Sequence, residues 1–331
     1  MARIFIEGFE GGDFGNLDST SGGPLIIAAP SGMSGSYAFR ASTNKWIYKA
    51  FSPTLTEVYF SERVKCINSA SYGSIFRLTY GSLIPLEVCV GPSRYVTVWK
   101  RPDLINPTTR IIGQSSYPLD LNVVYHIEGR ILLGPVSGIV QVKINNIMEI
   151  DFTGNTTSTA GETDYNGFWV GSWVGAEYQY DDIVVDNAAW IGPSRIALLK
   201  PTGAGALTQF TPSAGANWDC VDEIPASDSD YVATDTPGNV DLYTLTDLPG
   251  ETVTVKSVQL SARCYKESGA TPQNLQMSVR SNGSNYFSGN KPIPDTVGVN
   301  VIHLFETNPD TGIPWTVGQG NALEAGMKAV T

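Results

Sequence analysis

Charge is scarce in this chain. Of 331 residues only 16 % are Asp, Glu, Lys or Arg, and histidine occurs twice, at His126 and His303. A composition this low in charge and 42 % apolar excludes an intrinsically disordered protein and a long coiled coil. Basic residues are the scarcer sign, 21 against 32 acidic, for a formal net charge of −11 spread over both halves. No basic patch stands out, so nucleic acid is not an expected partner. No apolar run approaches the length of a membrane span, and "MARIFIEGFEGG" carries no signal-peptide core, so synthesis in a cytoplasm is expected. The four cysteines, Cys66, Cys89, Cys220 and Cys264, form no C-x-x-C pair, which argues against zinc knuckles and thioredoxin-type sites. One disulfide per half is arithmetically open, but without a secretion signal free thiols are expected. No G-x-S-x-G elbow frames a nucleophile, and "PTGAGAL" lacks the lysine and the strand–helix setting of a phosphate loop.

Glycine, proline and tyrosine are plentiful, at 34, 20 and 15, and they favour strands and tight turns over helices. Alternation of apolar and polar residues dominates "RIFIEGFE", "TEVYFSERVKCI", "SIFRLTYG", "YVTVWKR", "VVYHIEGRILL" and "GIVQVKINNIMEIDF". Each run closes on Gly, Pro, Asn or Asp, the signature of an all-β sandwich. The break at Gly8 predicts a bulge. Near residues 188–207 the pattern stops and Gly, Pro and Ala accumulate, marking a boundary. Strand-like runs then resume through "VDLYTLTDL", "TVTVKSVQLSARCYKE" and "NLQMSVRSNG". The expected architecture is therefore two antiparallel β-sandwiches, residues 1–190 and a smaller one over 191–331. One helical turn is expected around Asn321–Glu324.

Three constellations could carry chemistry. "MEIDF" resembles the E-[IL]-D-x-E strand motif of laminarinase-type glycoside hydrolases, where a spacing of two sets the carboxylates on one face. Here Glu149 and Asp151 are present, but Thr153 stands where the acid/base would be, so no leaving group could be protonated and no catalytic residue is assigned. "GFWVGSWVGAEYQY" concentrates rings; Trp169, Trp173 and Tyr178 are candidate stacking platforms for a glycan, set against ordinary core packing. In a strand Phe168 and Trp169 face opposite ways, so at least one of them belongs to the core. "YQYDDIVVDN" sets Asp181 beside Asp182 in a strand, where neighbours point to opposite faces. One carboxylate would then point inward and need donors, a counter-charge or a metal. Hydrogen bonds at a strand corner with Arg3 or Arg40 as the counter-charge would serve, and so would a cation.

The opening "IEGFEGGDFGNLD" together with "YQYDDIVVDN" resembles the laminin-G-like, concanavalin-type jelly roll and related carbohydrate-binding modules over residues 1–190. The order "VQVKINN", "EIDFTG", "FWVGSW" is similar too. The resemblance implies that the first and last strands lie together, often around a structural calcium, with Glu7, Glu10, Asp181 and Asp182 as the ligand candidates. Residues 191–331, through "PSRIALLKPTGAGALTQFTPSAGANWDCVDE", "DLYTLTDL" and "PDTGIPWT", resemble the C-terminal half of structural proteins of tailed bacteriophages. That resemblance implies a virion protein, tail-associated or capsid-decorating, made in the host cytoplasm and assembled through other virion proteins. A homo-oligomer follows, a trimer first, with the second domain attaching and the first facing outward toward a host-surface glycan. A carbohydrate-binding module is the alternative reading, and a polysaccharide-cleaving enzyme the second alternative.

Overall fold

The computed structural model describes residues 3–100, 111–158, 161–251 and 254–331. Internal contacts divide the chain into two compact units. One holds the chain up to Glu10 and then Leu17–Ile196; the other holds Gly11–Asn16 and Ala197–Thr331.

The first unit is a sandwich of two antiparallel sheets. The eight-stranded sheet runs β13 (Ile147–Gly154), β12 (Gly138–Ile144), β11 (Val124–Leu132), β6 (Glu57–Ser69), β15 (Ala176–Asp186), β4 (Tyr37–Ser42) and β3 (Leu25–Ala28), with β1 (Arg3–Glu7) also paired to β15. The seven-stranded sheet runs β10 (Ile111–Pro118), β9 (Tyr95–Lys100), β8 (Leu83–Val90), β7 (Gly73–Tyr80), β14 (Tyr165–Ser172), β5 (Lys45–Leu55) and β2 (Ser19–Ser21). Strands distant in sequence are neighbours, β6 with β15 and β7 with β14, as in a jelly roll. The first strand does lie beside the last.

Alternation explains what goes inside. Val58, Phe60, Val64 and Cys66 of β6 face inward, as do Phe76 and Leu78 of β7 and Phe168 and Val170 of β14, all buried. Phe60 stacks on Phe76 at 4.3 Å between centroids, and Phe76 on Phe168 at 4.7 Å. Each such ring stabilises the fold by about 1.5–3 kcal/mol. Glu62 breaks the pattern: it is buried on the same strand with no partner for either carboxylate oxygen, and burial raises its pKa well above the usual carboxylate range. Asn145 and Asn146, both at positive φ, close the β12–β13 hairpin, where a twisted two-residue turn demands that geometry.

The expected bulge at Gly8 is not there. β1 ends at Glu7 and its register shift lies between Arg3 and Phe5. Gly8 instead answers a close approach, since a Cβ would come 2.8 Å from the Cβ of Ile196. Residues past 190 stay with this unit because Ile191, Trp190 and Ile196 pack on Tyr59, Val184 and Ile6.

In the second unit a six-stranded sheet runs β16 (Pro201–Thr208), β19 (Val240–Leu245), β25 (Glu324–Val330), β21 (Asn274–Ser281) and β22 (Ser284–Phe287), with β23 (Lys291–Pro292) beside β21. Two strand pairs accompany it, β17 (Thr211–Pro212) with β18 (Val232–Ala233) and β20 (Val258–Cys264) with β24 (Val299–Phe305). Leu275, Met277 and Val279 of the sheet close a core with Leu260, Val301 and Phe305 of the β20–β24 pair. Trp315 of "PDTGIPWT" fills that core and donates its indole N–H to the Phe305 carbonyl at 3.0 Å, so the string's tryptophan is structural. The helical turn, α1, spans Val317–Asn321, earlier than expected, because Thr316 and Gln319 form a reciprocal capping box that sets its start. Asn16 accepts from Ser261 at 2.7 Å and from Asn300 at 3.3 Å, which ties the short Gly11–Asn16 segment into this unit. Among the described residues no helix is long and apolar enough to cross a membrane.

Candidate functional site

The aspartate pair sits on a kink. β15 slips register against β6 between Asp181 and Val184, and Asp182 has a φ of 53°. The extra residue breaks the alternation, so both carboxylates reach one residue, Ser34. Asp181 accepts the Ser34 N–H at 2.9 Å and Asp182 accepts its hydroxyl at 2.5 Å. Asp182 also accepts the Ile196 N–H at 2.7 Å, while the other Asp181 oxygen accepts the Asp182 N–H at 2.7 Å. Glu10 holds the same loop through the N–H groups of Ser36 at 2.8 Å and Tyr37 at 3.1 Å. Gly35 (φ 57°) lies between, and a Cβ there would collide with the Glu10 carboxylate. Glu7 accepts the Phe9 N–H at 2.6 Å.

The counter-charge is Arg63, whose Nε lies 2.9 Å from Asp182. The expected partners serve elsewhere: Arg3 pairs with Asp186 at 3.6 Å and Arg40 with Glu177 at 2.9 Å. Burial, then the neighbouring Asp182, push Asp181 up to about 8, against the pull of its two N–H donors. Burial likewise raises Asp182 and Glu10. The calcium expected of Glu7, Glu10, Asp181 and Asp182 does not fit this arrangement. A calcium ion needs six to eight oxygens turned toward it, whereas N–H, O–H and guanidinium donors occupy these. Among the described residues no three His, Cys, Asp or Glu side chains form a group that could hold a metal.

The seven-stranded sheet presents a different outer face. Trp99, Glu87, Arg77, Trp169 and Tyr48 stand opposite one another on β9, β8, β7, β14 and β5, one row crossing five strands. Paired residues share a face, and the buried row Leu86, Leu78, Phe168 lies on the other. Tyr48 packs on Trp169 at 4.9 Å between centroids, Tyr72 on Trp99 at 4.5 Å, and Trp46 on Trp173 at 5.6 Å. Tyr48, Tyr72, Trp99, Trp169 and Trp173 are only half-buried. Glycine makes room for the rings: a Cβ on Gly167 would come 2.6 Å from the Tyr48 hydroxyl, and one on Gly171 would come 2.8 Å from the Trp46 indole. At the centre the Arg77 guanidinium lies 4.7 Å from the Trp46 ring and 4.8 Å from that of Trp173. Its Nε is 3.6 Å from Glu87, which also accepts the Ser74 hydroxyl at 2.7 Å.

Trp169 and Trp173 therefore meet on one face. Tyr178 does not join them. It is wholly buried, its hydroxyl donating to the Val90 carbonyl at 3.2 Å, because its position in β15 puts it on the core side beside Tyr180. Trp46, Tyr48, Tyr72 and Trp99 escaped the sequence reading. "KWIYK" and "TVWK" show alternating rings, but register alone reveals that they adjoin Trp169.

The remaining candidates stand apart. Glu149 accepts the Ser116 N–H and hydroxyl at 2.8 and 2.6 Å, and Asp151 accepts from Gln141 at 2.9 Å, all on the edge strand β13 and its surroundings. His126 shares a hydrogen bond of 2.8 Å with Ser61, both buried. His303 packs edge-on against Phe305, and burial lowers its pKa. All four cysteines are free thiols.

No protein-family model and no curated protein matches the chain. Among solved structures it is similar to domain 4 of AbnA, a GH43 extracellular arabinanase from Geobacillus stearothermophilus, in complex with arabinotriose. The identity is 11 % over 57 % of this chain and 93 % of that one, with a TM-score of 0.41. It is also similar to the CBM2 module of the evolved Dit of Lactobacillus casei BL23 phage J-1, at 12 % identity over 55 % and 94 %, TM-score 0.35. The carbohydrate recognition domain of Emp46p in its metal-free form is a third, at 10 % over 52 % and 88 %, TM-score 0.36. These neighbours are jelly-roll, lectin-like β-sandwiches.

Proposed function

We propose that the first unit is a carbohydrate-binding module whose ligand lies across the outer face of the seven-stranded sheet. The observation that carries this reading is the row from Trp99 to Tyr48, with half-buried rings at both ends and a polar pair between them. Sugar rings present flat C–H faces to aromatic rings, and the half-buried rings of this face offer that platform over a buried polar pair. Trp169 and Trp99 stand three strand spacings apart, roughly 14 Å, which suits a short run of linked sugars better than one ring. The carboxylates Glu149 and Asp151 lie outside this row, and the module binds without cleaving. Isothermal titration against a glycan panel tests the reading. Trp169→Ala should weaken binding by about tenfold or more while leaving the melting temperature nearly unchanged. Equal binding by the variant would refute it.

A place on a phage particle, with the second unit attaching and the module facing a host-surface glycan, rests on the sequence resemblance of residues 191–331. Immunogold labelling of purified particles with antibody to this chain checks it; absence of label would remove the virion from the proposal.

A further inference from the structure

We infer that this face selects uncharged glycans, and that Glu87 is the residue that imposes the choice; the inference rests on the glycan-binding reading above. Across the central strands the row Trp99, Glu87, Arg77, Trp169, Tyr48 is flanked on one side by Thr97, Cys89, Ser74, Gly171, Trp46 and on the other, over β7, β14 and β5, by Thr79, Gly167, Ala50. Of these thirteen positions only Arg77 and Glu87 carry charge. Arg77 would be the natural anchor for a uronate, sulfate or sialate, because a guanidinium matches planar carboxylates and tetrahedral oxyanions alike. Here it is already committed. Trp46 and Trp173 flank its guanidinium at 4.7 and 4.8 Å, and Glu87 lies 3.6 Å from its Nε. Glu87 is itself 1 % exposed and fixed by the Ser74 hydroxyl at 2.7 Å.

The centre of the face is therefore electrically neutral and rigid. An anionic sugar laid over it would meet the buried Glu87 carboxylate without a free cation, among the described positions of this face, to offset its own desolvation. A neutral sugar meets no such repulsion and stacks on the rings. Removing the Glu87 charge should release Arg77 for an anion. Glu87→Gln keeps the shape and an acceptor for Ser74.

The test is titration of the full chain with neutral gluco-, xylo-, manno- and arabino-hexasaccharides and with oligogalacturonate and oligomannuronate of the same length. The wild type should bind at least one neutral chain tenfold or more tightly than either charged one. Glu87→Gln should narrow that ratio by tenfold or more through gained affinity for the charged chains. Arg77→Met, which removes the cation and keeps the acid, should widen it, and it serves if Glu87→Gln fails to fold. Charged chains binding the wild type as tightly as neutral ones would overturn the selectivity while leaving the glycan-binding reading intact. An unchanged ratio in both variants would also overturn it. Binding of no glycan at all would overturn both.

Discussion

The two sheets of the first unit bury similar residues inward and differ outward. On the eight-stranded sheet several outer polar groups are met by the chain itself. Asp182 is met by Ser34, Arg63 and Ile196, Glu128 by the Gly192 N–H at 2.6 Å, and Trp190 and Ile191 cover Tyr59. On the seven-stranded sheet no comparable segment among the described residues covers the rings, and Trp169, Trp99 and Tyr48 keep part of their area in solvent. The difference separates two uses of the same side chains. A carboxylate whose every oxygen has a protein donor holds the fold, and a ring left half-exposed beside a fixed polar pair is available to a ligand.

The sharpest break of that comparison is Asp182→Ala. It strands Arg63, the Ser34 hydroxyl and the Ile196 N–H in a largely buried site. Deleting one partner of a buried pair costs about 3–5 kcal/mol, so urea denaturation should show a loss of that order. Trp169→Ala on the other face should cost far less stability and much more binding. If the two variants destabilise equally, the division between a structural face and a binding face fails.

How much of this division was legible in the sequence can be argued from the same residues. The all-β class and the sandwich follow from alternation, and the pairing of first with last strand is what the jelly-roll resemblance carried by the "GFE" and "DDI" strings implies. That Phe168 and Trp169 face opposite ways also follows from alternation, whereas which of them is inward is set by the pairing of β14 with β7 and β5. The kink at Asp182 does not. Alternation sets Asp181 and Asp182 on opposite faces, and only the register slip against β6 brings both to Ser34. Nor could spacing along the chain reveal that Arg77 and Glu87 sit between Trp99 and Trp169, because that row is made by pairing between strands. Tyr178 was misplaced for the same reason, its phase in β15 being set by the strand's partners.

A smaller effect is the slope of stability with pH. Asp181 titrates at about 8 in the folded state, raised chiefly by burial and by Asp182. The unfolded chain releases the same proton near 3.9. Between those values the folded state holds a proton that the unfolded state has lost, so stability falls as pH rises through that window and levels off above about 8. One such group contributes at most about 1.4 kcal/mol per pH unit. Melting curves from pH 5 to 8 should show the decline, and Asp181→Asn should flatten it whatever its effect at one pH. A slope unchanged in the variant would assign the pH dependence elsewhere.

The other acidic string of the sequence should behave in the opposite way. Glu149 lies on an edge strand, and its bonds to Ser116 are exposed to water. Glu149→Gln should shift stability by no more than about 0.5 kcal/mol, as surface changes do. Reducing-sugar assays on β-glucans should stay at background before and after. Release by the wild type that vanishes in the variant would make β13 a catalytic strand and overturn the reading of the protein as a binder.

The smallest expected effect concerns calcium. Where an ion joins the first and last strands, its removal loosens the sandwich, and chelation lowers the melting temperature by mass action. Here the junction is made otherwise. Glu10 grips Ser36 and Tyr37, Asp181 and Asp182 grip Ser34, and the positive charge is supplied by Arg63 at 2.9 Å. A cation entering among these carboxylates would have to displace an arginine and turn N–H donors away from their acceptors. Added calcium and added EDTA should therefore leave the melting curve where it is, at neutral pH and low salt alike. Arg63→Gln offers the counter-test. With the arginine gone the three acids lose their counter-charge and a cation that binds them displaces their protons, so this variant, unlike the parent, should gain stability when calcium is added above about pH 8. A parent protein that melts higher with calcium and lower with EDTA would show that the ion, and not the arginine, is what closes the sandwich.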